Sequence, residues 1–504
     1  MKATGMRLLR NVPVLMTAWV FALALAGVLH PRTAAAADLF LADEPEVYAA
    51  IDKLAASGYL PGLLLNTRPY TMAAVRAATG EASRSAWLEG IDAELIRWLS
   101  LYAAPTESAR LTVAGGHADS RFTPWNHEGI PVPAGWSGQA YFFAREEKAP
   151  FFSGQLRAAS FFGEGGDDGN RLLDASLSAG YPWLTVQAGK ISAWYGPGRR
   201  GALLFTNNAQ PYPGVRIHNP VPIRPTGRLA FLGSFQYDFF AARMEKKPLH
   251  SHSILTGTRL ALQPRPWIEL GLSRVLHYGG DDRDNGISEF FDTYLGDNEP
   301  SDRSNTLGGW DVTLTLPFPS QPVQIYMERG AEDSSHWGRI FFPWDDRFAN
   351  LYGLYLPRIL SLDRLDLRAE YADTWSGENK GDNWYGHSAY PHTYRGDILG
   401  HPMGGSARNW SVQSRYWFLP TAWGTLSWER VLRDGGPSAG ERRTLWSAGL
   451  SGWLTEKWRA EASAVIDRVS TKGGLPGPSG TDFSARLQLS YQVTTLTPWI
   501  LGER

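Results

Sequence analysis

The sequence contains no cysteine, and this absence removes two kinds of structure at once. Without thiols the chain has neither a disulfide framework nor a thiolate metal site. An excess of one charge is also missing, because 49 Lys and Arg residues stand against 50 Asp and Glu residues. Domains that bind nucleic acid usually carry a basic surface, so this near-neutral balance argues against such a partner.

After residue 29 the chain lacks any apolar run that approaches the length of a transmembrane helix. The single long run extends from Val12 to Leu29, after a positively charged segment and before the small residues TAAAAD. This order predicts a signal peptide over residues 1–37, cleaved after Ala37. An uncleaved anchor helix is the alternative, since the run reaches about 18 residues. If the mature chain spans a membrane, it must do so as a closed β-barrel.

Aromatic residues are abundant: 12% of the chain, with 21 Trp and 20 Tyr. Trp and Tyr are enriched where a protein meets the membrane–water interface. The same residues suit a surface on which sugars stack. The alternative is a large soluble β-protein that is rich in aromatic residues.

Residues 38–105 repeat apolar positions with helical spacing, as Val47 and Ile51 do in EPEVYAAIDKLAASGYLPG. Thr71 is predicted as the N-cap of a second helix and Gly80 as its end. A third helix is predicted in SAWLEGIDAELIRWLSLYA. These segments predict a small helical bundle, which the predicted export of the chain assigns to the periplasm.

From about residue 109 the apolar period changes from 3.6 to 2. In LDRLDLRAEY, for example, Leu365 and Leu367 alternate with Asp366 and Arg368. The runs are about ten residues long, which fits transmembrane strands better than the strands of soluble sheets. A barrel with lipid outside and water inside requires this pattern. A soluble sandwich or propeller also alternates, so strand length and the predicted export signal favour an outer-membrane barrel over residues 106–504.

The connections alternate between long loops and short turns, as they do in outer-membrane barrels. Long loops are predicted near 120–134, 193–224, 279–306, 332–346, 375–406, 434–442 and 470–482. With a periplasmic N-terminus, each odd-numbered strand must lead into a long loop. Splitting TGRLAFLGSFQYDFFAARME into two strands at Gly233–Ser234 satisfies this rule. The fold prediction is an all-β transmembrane barrel of about 18 antiparallel strands, with the small helical bundle in the periplasm.

The stretch WYGPGRRGALLFTNNAQPYPG, residues 194–214, is too rich in Gly, Pro and Asn for a regular helix or strand. Its aromatic residues favour an ordered loop over a flexible linker. It follows the fifth predicted strand, so we place it at the outer end of the barrel. A loop of this length could fold over the mouth or into the lumen, and such loops are usually functional when ordered.

Several phrases occur in a characteristic order along the chain: WYGPGRRGALLFTNNAQP, RLALQPRPWIELGLSRVLHYGG, NTLGGWDVTL, IYMERGAEDS, YGLYLPRI, LRAEYADT and YRGDILGHPMGG. With the helical N-terminus they resemble the Wzi family of capsule-assembly proteins. The resemblance implies an 18-stranded barrel in the outer membrane of a Gram-negative cell, with a periplasmic helical bundle. It also implies a lectin-like, non-enzymatic protein that holds capsular or other extracellular polysaccharide at the cell surface. Barrel chains often end on an aromatic residue, whereas this chain ends PWILGER, so the last strand is expected to finish near Val493.

Sugar binding requires flat aromatic faces for a pyranose ring and planar polar groups for its hydroxyls. Three predicted outer loops supply both, and the alternative is that their aromatic residues pack into a plug. The candidate glycan-binding residues are Trp194, Tyr195, Asn207, Asn208, Tyr212, Trp384, Tyr385, His387, Tyr390 and Arg395, and the same loops add Asp281, Asp282, Arg283, Asp284, Tyr294, His392 and Tyr394.

Metal, cofactor and catalytic signals are weak. His387, His392 and His401 lack compact spacing, and GGDDRDNG lacks the spacing and closing Glu of an EF-hand. No GxSxG, HExxH or phosphate-loop motif occurs, and charged strand residues fit a balanced polar lumen. We therefore predict no metal, no cofactor and no enzymatic activity. A porin or polysaccharide-export channel is the second hypothesis, and an outer-membrane hydrolase the third. The expected partners are polysaccharide, outer-membrane lipid and components of an export machinery.

Overall fold

The computed structural model describes residues 44–84, 89–104, 107–149, 152–164, 168–246, 249–295, 304–332, 340–341, 348–360, 362–374, 384–433, 439–471 and 479–493. The predicted signal peptide over residues 1–37 lies outside the described residues. The same holds for the sequence beyond Val493 and for part of several predicted long loops.

Eighteen antiparallel strands form one closed barrel in the described part of the chain. Each strand pairs with its neighbours in sequence, and the last strand pairs with the first, as Arg110 opposite Gln492 illustrates. The strands are β1 (Glu107–Ala118), β2 (Gly135–Ala149), β3 (Phe152–Gly163), β4 (Gly169–Tyr181), β5 (Leu184–Ile191), β6 (Tyr212–His218), β7 (Ser234–Arg243), β8 (Ile254–Arg265), β9 (Ile268–Tyr278), β10 (Ser304–Leu316), β11 (Val323–Glu332), β12 (Ala349–Leu356), β13 (Leu365–Asp373), β14 (Ala407–Leu419), β15 (Ala422–Arg433), β16 (Glu441–Trp453), β17 (Trp458–Thr471) and β18 (Gly480–Gln492).

The predicted barrel and its strand number are confirmed, but the sixth strand was placed wrongly. The residues before Gly233 form a 3₁₀ helix, Gly227–Leu232, instead of a strand. The sixth strand is β6, which lies inside the predicted loop 193–224. It begins Tyr-Pro-Gly, and these residues indicate a turn when they are considered without their neighbours. Pairing with β5 and β7 fixes them as a strand, and at Gly214 a Cβ atom would lie 2.4 Å from the carbonyl oxygen of Ala241.

The side chains of the barrel are distributed in the opposite way to those of a water-soluble protein. Large apolar residues cover the outside, and Leu487 and Leu426 are each 65% exposed. Charged residues point inward, and Arg459 is 3% exposed. Soluble proteins rarely bury arginine and leave contiguous leucine at the surface. An apolar outer face around a polar interior is the distribution that a lipid bilayer stabilises.

The two ends of the barrel differ. One end carries the connections 119–134, 164–168, 192–211, 244–253, 279–303, 333–348, 374–406, 434–440 and 472–479, and we call it the long-loop end. The other end carries the N-terminal helices and connections that are short except for residues 219–233, between β6 and β7, and we call it the helix end. The loop between β9 and β10 contains a helix, Ile287–Leu295, whose Tyr294 packs on the barrel rim beside Leu276 and Tyr278.

Three helices precede the barrel: α1 (Pro45–Ala56), α2 (Met72–Ala82) and α3 (Gly90–Ala103). The Thr71 hydroxyl accepts a hydrogen bond from the Ala74 backbone N–H at 3.1 Å, which confirms the predicted N-cap. The predicted end at Gly80 is wrong, because α2 continues to Ala82 and ends at Ser83. A glycine inside a helix costs only about 1 kcal/mol relative to alanine, so it does not terminate the helix by itself.

The helices pack on the helix end of the barrel. Their apolar residues form one core with Trp417, Trp423 and Trp453, which lie where strands β14, β15 and β16 meet their short turns. Lys53 of α1 donates hydrogen bonds to the carbonyl oxygens of Asp363, at 2.7 Å, and of Pro357. Within the described residues, no helix combines the length and apolar character needed to cross a membrane.

Candidate functional site in the barrel lumen

Three segments fill the lumen, and together we call them the plug. Residues 192–211 and 384–406 enter from the long-loop end, whereas residues 62–71 enter from the helix end. Residues 62–71 and 192–211 meet in a two-stranded sheet in which Thr67 pairs with Tyr195 and Arg68 with Trp194. The stretch that opens with Trp194 therefore folds into the barrel and contacts a segment from the opposite end.

Buried carboxylates of the barrel wall hold the plug through its backbone. Glu269 accepts hydrogen bonds from the N–H groups of Leu65 and Asn66 at 2.8 and 3.0 Å. Glu328 accepts one from Leu203 at 2.9 Å. A loop buried in a barrel would otherwise leave such N–H groups unsatisfied, at a cost of about 1–3 kcal/mol each. The wall thus supplies acceptors where the plug has no regular secondary structure.

Most predicted glycan-binding aromatic residues are buried within the plug. Their exposed fractions run from 0% to 8%, and neighbouring aromatic rings cover several of their faces. Tyr195 packs against Phe205 and Phe240, with ring centroids 5.4 and 6.2 Å apart. These buried residues are Trp194, Tyr195, Tyr212, Trp384, Tyr385 and Tyr390.

The polar candidates on the first loop make structural hydrogen bonds. The Asn208 side-chain amide donates to the Ile398 carbonyl oxygen at 3.0 Å, which ties the two plug loops together. The Asn207 carbonyl oxygen accepts from the Glu128 N–H at 2.8 Å. The Tyr195 hydroxyl lies 2.5 Å from a carboxylate oxygen of Asp238 on the wall.

The second loop is anchored in the same way. The Tyr385 hydroxyl donates to the Leu203 carbonyl oxygen and accepts from the His401 N–H at 2.9 Å. Tyr390 donates to the carbonyl oxygen of Gly279 at 2.9 Å. His387 is partly exposed, and its Nδ1 accepts from the Tyr390 N–H at 3.1 Å.

Other candidates lie toward the solvent side of the plug. Arg395 is exposed, and its backbone N–H donates to Glu245 at 2.8 Å. Asp281 and Asp282 pair with His252 and His250 at 2.7 and 2.9 Å on the exterior of the loops. Of the remaining positions, Asp284 is exposed and Arg283 partly exposed, whereas three are buried: Tyr294, His392 and Tyr394.

A cavity of about 330 Å³ lies at the long-loop end, and we call it the outer cavity. Its floor is formed by Arg199, Arg368 and Glu370, and its sides by the connection after β1 and the inner faces of β13 to β18. Trp125 provides an aromatic ring beside the Arg200 guanidinium, whose central carbon lies 4.7 Å from the ring centroid.

Guanidinium–carboxylate pairs surround the outer cavity. Arg200 Nε lies 2.9 Å from both carboxylate oxygens of Glu429, which also accepts from the Asn409 amide at 2.7 Å. On the opposite wall, Arg443 Nε lies 2.6 Å from Asp467 Oδ2. Such planar paired groups present donors and acceptors in fixed directions.

The sequence of the barrel matches a known family. The family model described as "Capsule assembly protein Wzi" matches residues 105–476. The chain belongs to the Wzi family of capsule assembly proteins. This result confirms the resemblance seen in the sequence.

Two known proteins are similar to this chain, one in sequence and one in structure. An uncharacterized 55.8 kDa protein in the cps region of Klebsiella pneumoniae is 32% identical over 161 residues, 30% of this chain. The match spans 31% of the length of that curated relative. The solved structure of Wzi from Escherichia coli is described as a carbohydrate-binding β-barrel of the outer membrane involved in group 1 capsule assembly. It matches with a TM-score of 0.72 and 19% identity over 92% of this chain and 100% of that chain, a likeness that shows the fold.

Sequence reasoning missed the residues that line the outer cavity of this Wzi family member. Arg199 and Arg200 belong to the stretch WYGPGRRG, in which only the aromatic residues were predicted to bind glycan. Trp125 lies in a predicted long loop, but a lone tryptophan gives no signal of its own. Glu429 and Asp467 belong to separate strands, and only barrel closure brings them near Arg200.

The histidines of the second loop already have partners. His392 Nε2 donates to the Leu204 carbonyl oxygen at 2.6 Å, and His401 Nδ1 accepts from the Met403 N–H at 3.2 Å. Burial, together with the nearby Arg200 charge, lowers the pKa of His401 to about 3. Among the described residues, no group of three or more His, Asp or Glu is arranged to hold a metal ion.

Proposed function

We propose that this protein is a non-enzymatic, polysaccharide-binding barrel of the outer membrane that holds capsular or other extracellular polysaccharide at the cell surface. Membership of the Wzi family and the likeness to a carbohydrate-binding barrel support this proposal. The single observation that carries it is the outer cavity, where Trp125 and several planar polar pairs line a space of about 330 Å³.

The barrel has a defined orientation in the membrane under this proposal. The helix end faces the periplasm and the long-loop end faces the exterior, after export directed by a signal peptide over residues 1–37. The apolar outer face contacts outer-membrane lipid. The helices at the periplasmic end are proposed to contact a component of the polysaccharide-export machinery.

The chemistry of the outer cavity suits a sugar chain. Trp125 offers a flat apolar surface to one face of a pyranose. The Arg200–Glu429 and Arg443–Asp467 pairs offer directional donors and acceptors to the hydroxyl groups. Several hydroxyl and amide side chains extend this polar surface: Ser411, Gln413, Ser427, Ser447 and Ser484.

The two alternative functions are less well supported. A porin or export channel requires a continuous aqueous path, whereas the plug occupies the lumen with segments from both ends. A glycosidase requires a carboxyl group that is free to transfer protons or attack. Here Glu429 and Asp467 are each paired with an arginine, and Glu370 accepts from the N–H groups of residues 199 and 200 at 2.7 and 2.8 Å.

A deletion strain complemented with the intact gene tests the proposal. We expect the deletion strain to synthesise polysaccharide but to release it into the medium, with retention restored by complementation. Polymer trapped inside the cell would instead indicate export through this barrel. An unchanged distribution of polymer would remove the retention function.

Point variants then test the outer cavity itself. Trp125→Ala should increase the released fraction of polysaccharide several-fold, while the barrel still assembles. Trp136→Ala is the matched control, because Trp136 is 65% exposed at the same end of the barrel and does not line the cavity. Equal retention in both variants would place the glycan contact elsewhere.

A further inference from the structure

A second cavity, of about 280 Å³, lies on the opposite side of Arg199 and Arg368 from the outer cavity, and we call it the inner cavity. The two arginines line both spaces and form the partition between them. Helix α1 contributes Tyr48 and Asp52 to the inner cavity, and the plug contributes Arg68 and Trp194.

Positive charge predominates around the inner cavity. Its three carboxylates are Asp52, Glu128 and Asp174. Three more lie outside the lining: Asp238 and Asp366 pair with cavity arginines at 3.2 and 3.8 Å, and Glu370 interacts with Arg368. The cationic side chains of the lining outnumber all of these, and they are Arg68, Arg157, Lys190, Arg199, Arg216, Arg368 and Arg415.

The Asp52 carboxylate interacts with three arginine side chains. It accepts two hydrogen bonds from Arg199 and one from Arg368, at 2.7, 2.8 and 2.9 Å. Arg68 lies 3.9 Å from the same carboxylate. One negative charge therefore stands against three positive charges. Four arginines and four carboxylates line the outer cavity, and two of those arginines, Arg199 and Arg368, are the ones shared with the inner cavity.

Buried donors on the wall of the inner cavity lack acceptors. Nε of Arg68 and Nε1 of Trp194 have no hydrogen-bond partner among the described residues, and Nη2 of Arg68 has none nearer than Asp52 Oδ1, at 3.9 Å. These side chains are 9% and 6% exposed. Three rings hold the Arg68 guanidinium in place, since its central carbon lies 5.3 Å from the Trp194 centroid and 5.6 and 5.7 Å from those of Tyr48 and Tyr70. Leaving such donors buried and unpaired is unfavourable, so their arrangement points to an acceptor.

We propose that the inner cavity binds a small oxyanion, a carboxylate or phosphate group on a molecule of at most monosaccharide size. Arginine forks match the two oxygens of either group, and the cation excess stabilises the charge. The indole N–H of Trp194 supplies a neutral donor beside the forks. This site is separate from the outer cavity, and the inference does not depend on polysaccharide retention.

Isothermal titration calorimetry of the full-length protein in neutral detergent tests this inference. Glucuronate, inorganic phosphate and glucose are titrated separately at low ionic strength. We expect saturable binding of at least one anion and none of glucose. Binding of glucuronate alone identifies a carboxylated ligand, and binding of phosphate alone identifies a phosphorylated one. If neither anion binds, or glucose binds equally well, the proposal fails.

Variants locate the binding event. Arg68→Gln should weaken anion binding at least tenfold, whereas Arg443→Gln, which changes only the outer cavity, should leave it unchanged. Lys190→Gln provides a second inner-cavity change at a partly exposed wall position if Arg68→Gln fails to fold. Anion affinity that persists unchanged in both inner-cavity variants would show that the anion binds elsewhere and would overturn the proposal.

Discussion

Arg199 and Asp52 form a two-pronged ion pair in the lumen, with Nε 2.7 Å from Oδ2 and Nη2 2.8 Å from Oδ1. Arg199 belongs to a plug loop from the long-loop end, and Asp52 to helix α1. Arg368 of strand β13 donates to the same carboxylate at 2.9 Å. A single carboxylate thus joins a loop, a helix and the barrel wall.

The substitution Asp52→Asn should destabilise the folded protein strongly. It leaves buried guanidinium groups without a charged acceptor, and breaking a buried pair in this way typically costs about 3–5 kcal/mol. Unfolding in detergent, followed by circular dichroism, measures the loss. Glu81→Gln is the control, because its pair with Arg224 is on the surface and contributes about 0–1 kcal/mol. Equal losses in the two variants would contradict the role of Asp52.

Removing the Tyr385 hydroxyl should also weaken the plug. In Tyr385→Phe the Leu203 carbonyl oxygen and the His401 N–H both lose a buried partner. We expect a loss of about 1–3 kcal/mol in the free energy of unfolding. Tyr181→Phe, at a position 59% exposed on the barrel, should leave stability unchanged. If Tyr385→Phe is as stable as the parent, other contacts hold this loop.

Trp194, Tyr195, Trp384 and Tyr385 are buried, so alanine substitutions at these positions cannot be interpreted as loss of a glycan contact alone. If these rings were exposed, paired alanine substitutions would test stacking on sugars directly. In the structure such changes remove packing inside the plug, and one buried aromatic residue replaced by alanine costs about 3–5 kcal/mol. Released polysaccharide from those variants would therefore not separate lost contact from lost folding, whereas Trp125→Ala changes a cavity wall.

Acidification should destabilise the folded protein through two histidines, His401 of the plug and His127 of the connection after β1. Burial lowers the pKa of both His401 and His127 to about 3, whereas an unfolded histidine titrates near 6.5. The unfolded state therefore takes up the proton first, so stability is complete above about pH 6.5 and falls as the pH decreases. Each histidine should cost about 2 kcal/mol at about pH 5.

Urea unfolding in detergent at about pH 7.5 and about pH 5 measures this effect. His401→Gln should reduce the pH dependence by about half, because the other buried histidine remains. Leu426→Val, which changes an exposed residue without a titratable group, should keep the parent's dependence. A parent protein with equal stability at both pH values would disprove the assignment.

The N-cap of α2 makes a smaller contribution. The Thr71 hydroxyl accepts from the Ala74 N–H and donates to the Pro220 carbonyl oxygen at 2.5 Å, so it links the helix to the barrel. Thr71→Ala should lower stability by about 1–2 kcal/mol, and Thr71→Ser should retain most of it. Thermal unfolding of the three proteins tests this order. An alanine variant as stable as the serine variant would contradict it.

The plug predicts a closed barrel in electrical measurements. Purified protein in planar bilayers should show no steady, salt-dependent conductance. Loosening the partition with Asp52→Asn should produce intermittent openings, because the loop, the helix and the wall lose their shared acceptor. A large steady conductance of the parent protein would favour the channel hypothesis over surface retention.

Much of the fold could be predicted from the sequence, because a membrane-spanning strand must alternate apolar residues that face lipid with polar residues that face the lumen. Long alternating runs such as the one around Asp366 and Arg368 can be recognised without neighbours. Strand β6 could not be recognised, since Pro213 and Gly214 indicate a turn unless the pairing with β5 and β7 is known. The pattern of one segment does not identify the strands with which that segment pairs, because those strands lie elsewhere in the sequence.

The interior was less predictable for a related reason. The stretch from Trp194 was expected to be ordered and able to enter the lumen, but its partner could not be named. Arg68 lies in a short irregular segment whose contacts depend on the whole barrel. The outer cavity likewise combines residues from loops and strands that are hundreds of positions apart, such as Trp125 and Asp467.

The small sheet that joins Thr67–Arg68 to Trp194–Tyr195 has a mechanical consequence. A long polymer held at the cell surface is pulled by fluid flow, and its attachment point must resist that force. A chain bound in the outer cavity would pull on Arg200, and through the adjoining residues on a loop that is hydrogen-bonded to a segment from the helix end of the barrel. The load would then be shared between the barrel wall and the segment that follows helix α1, so that pulling on the polymer would not simply draw the loop out of the barrel.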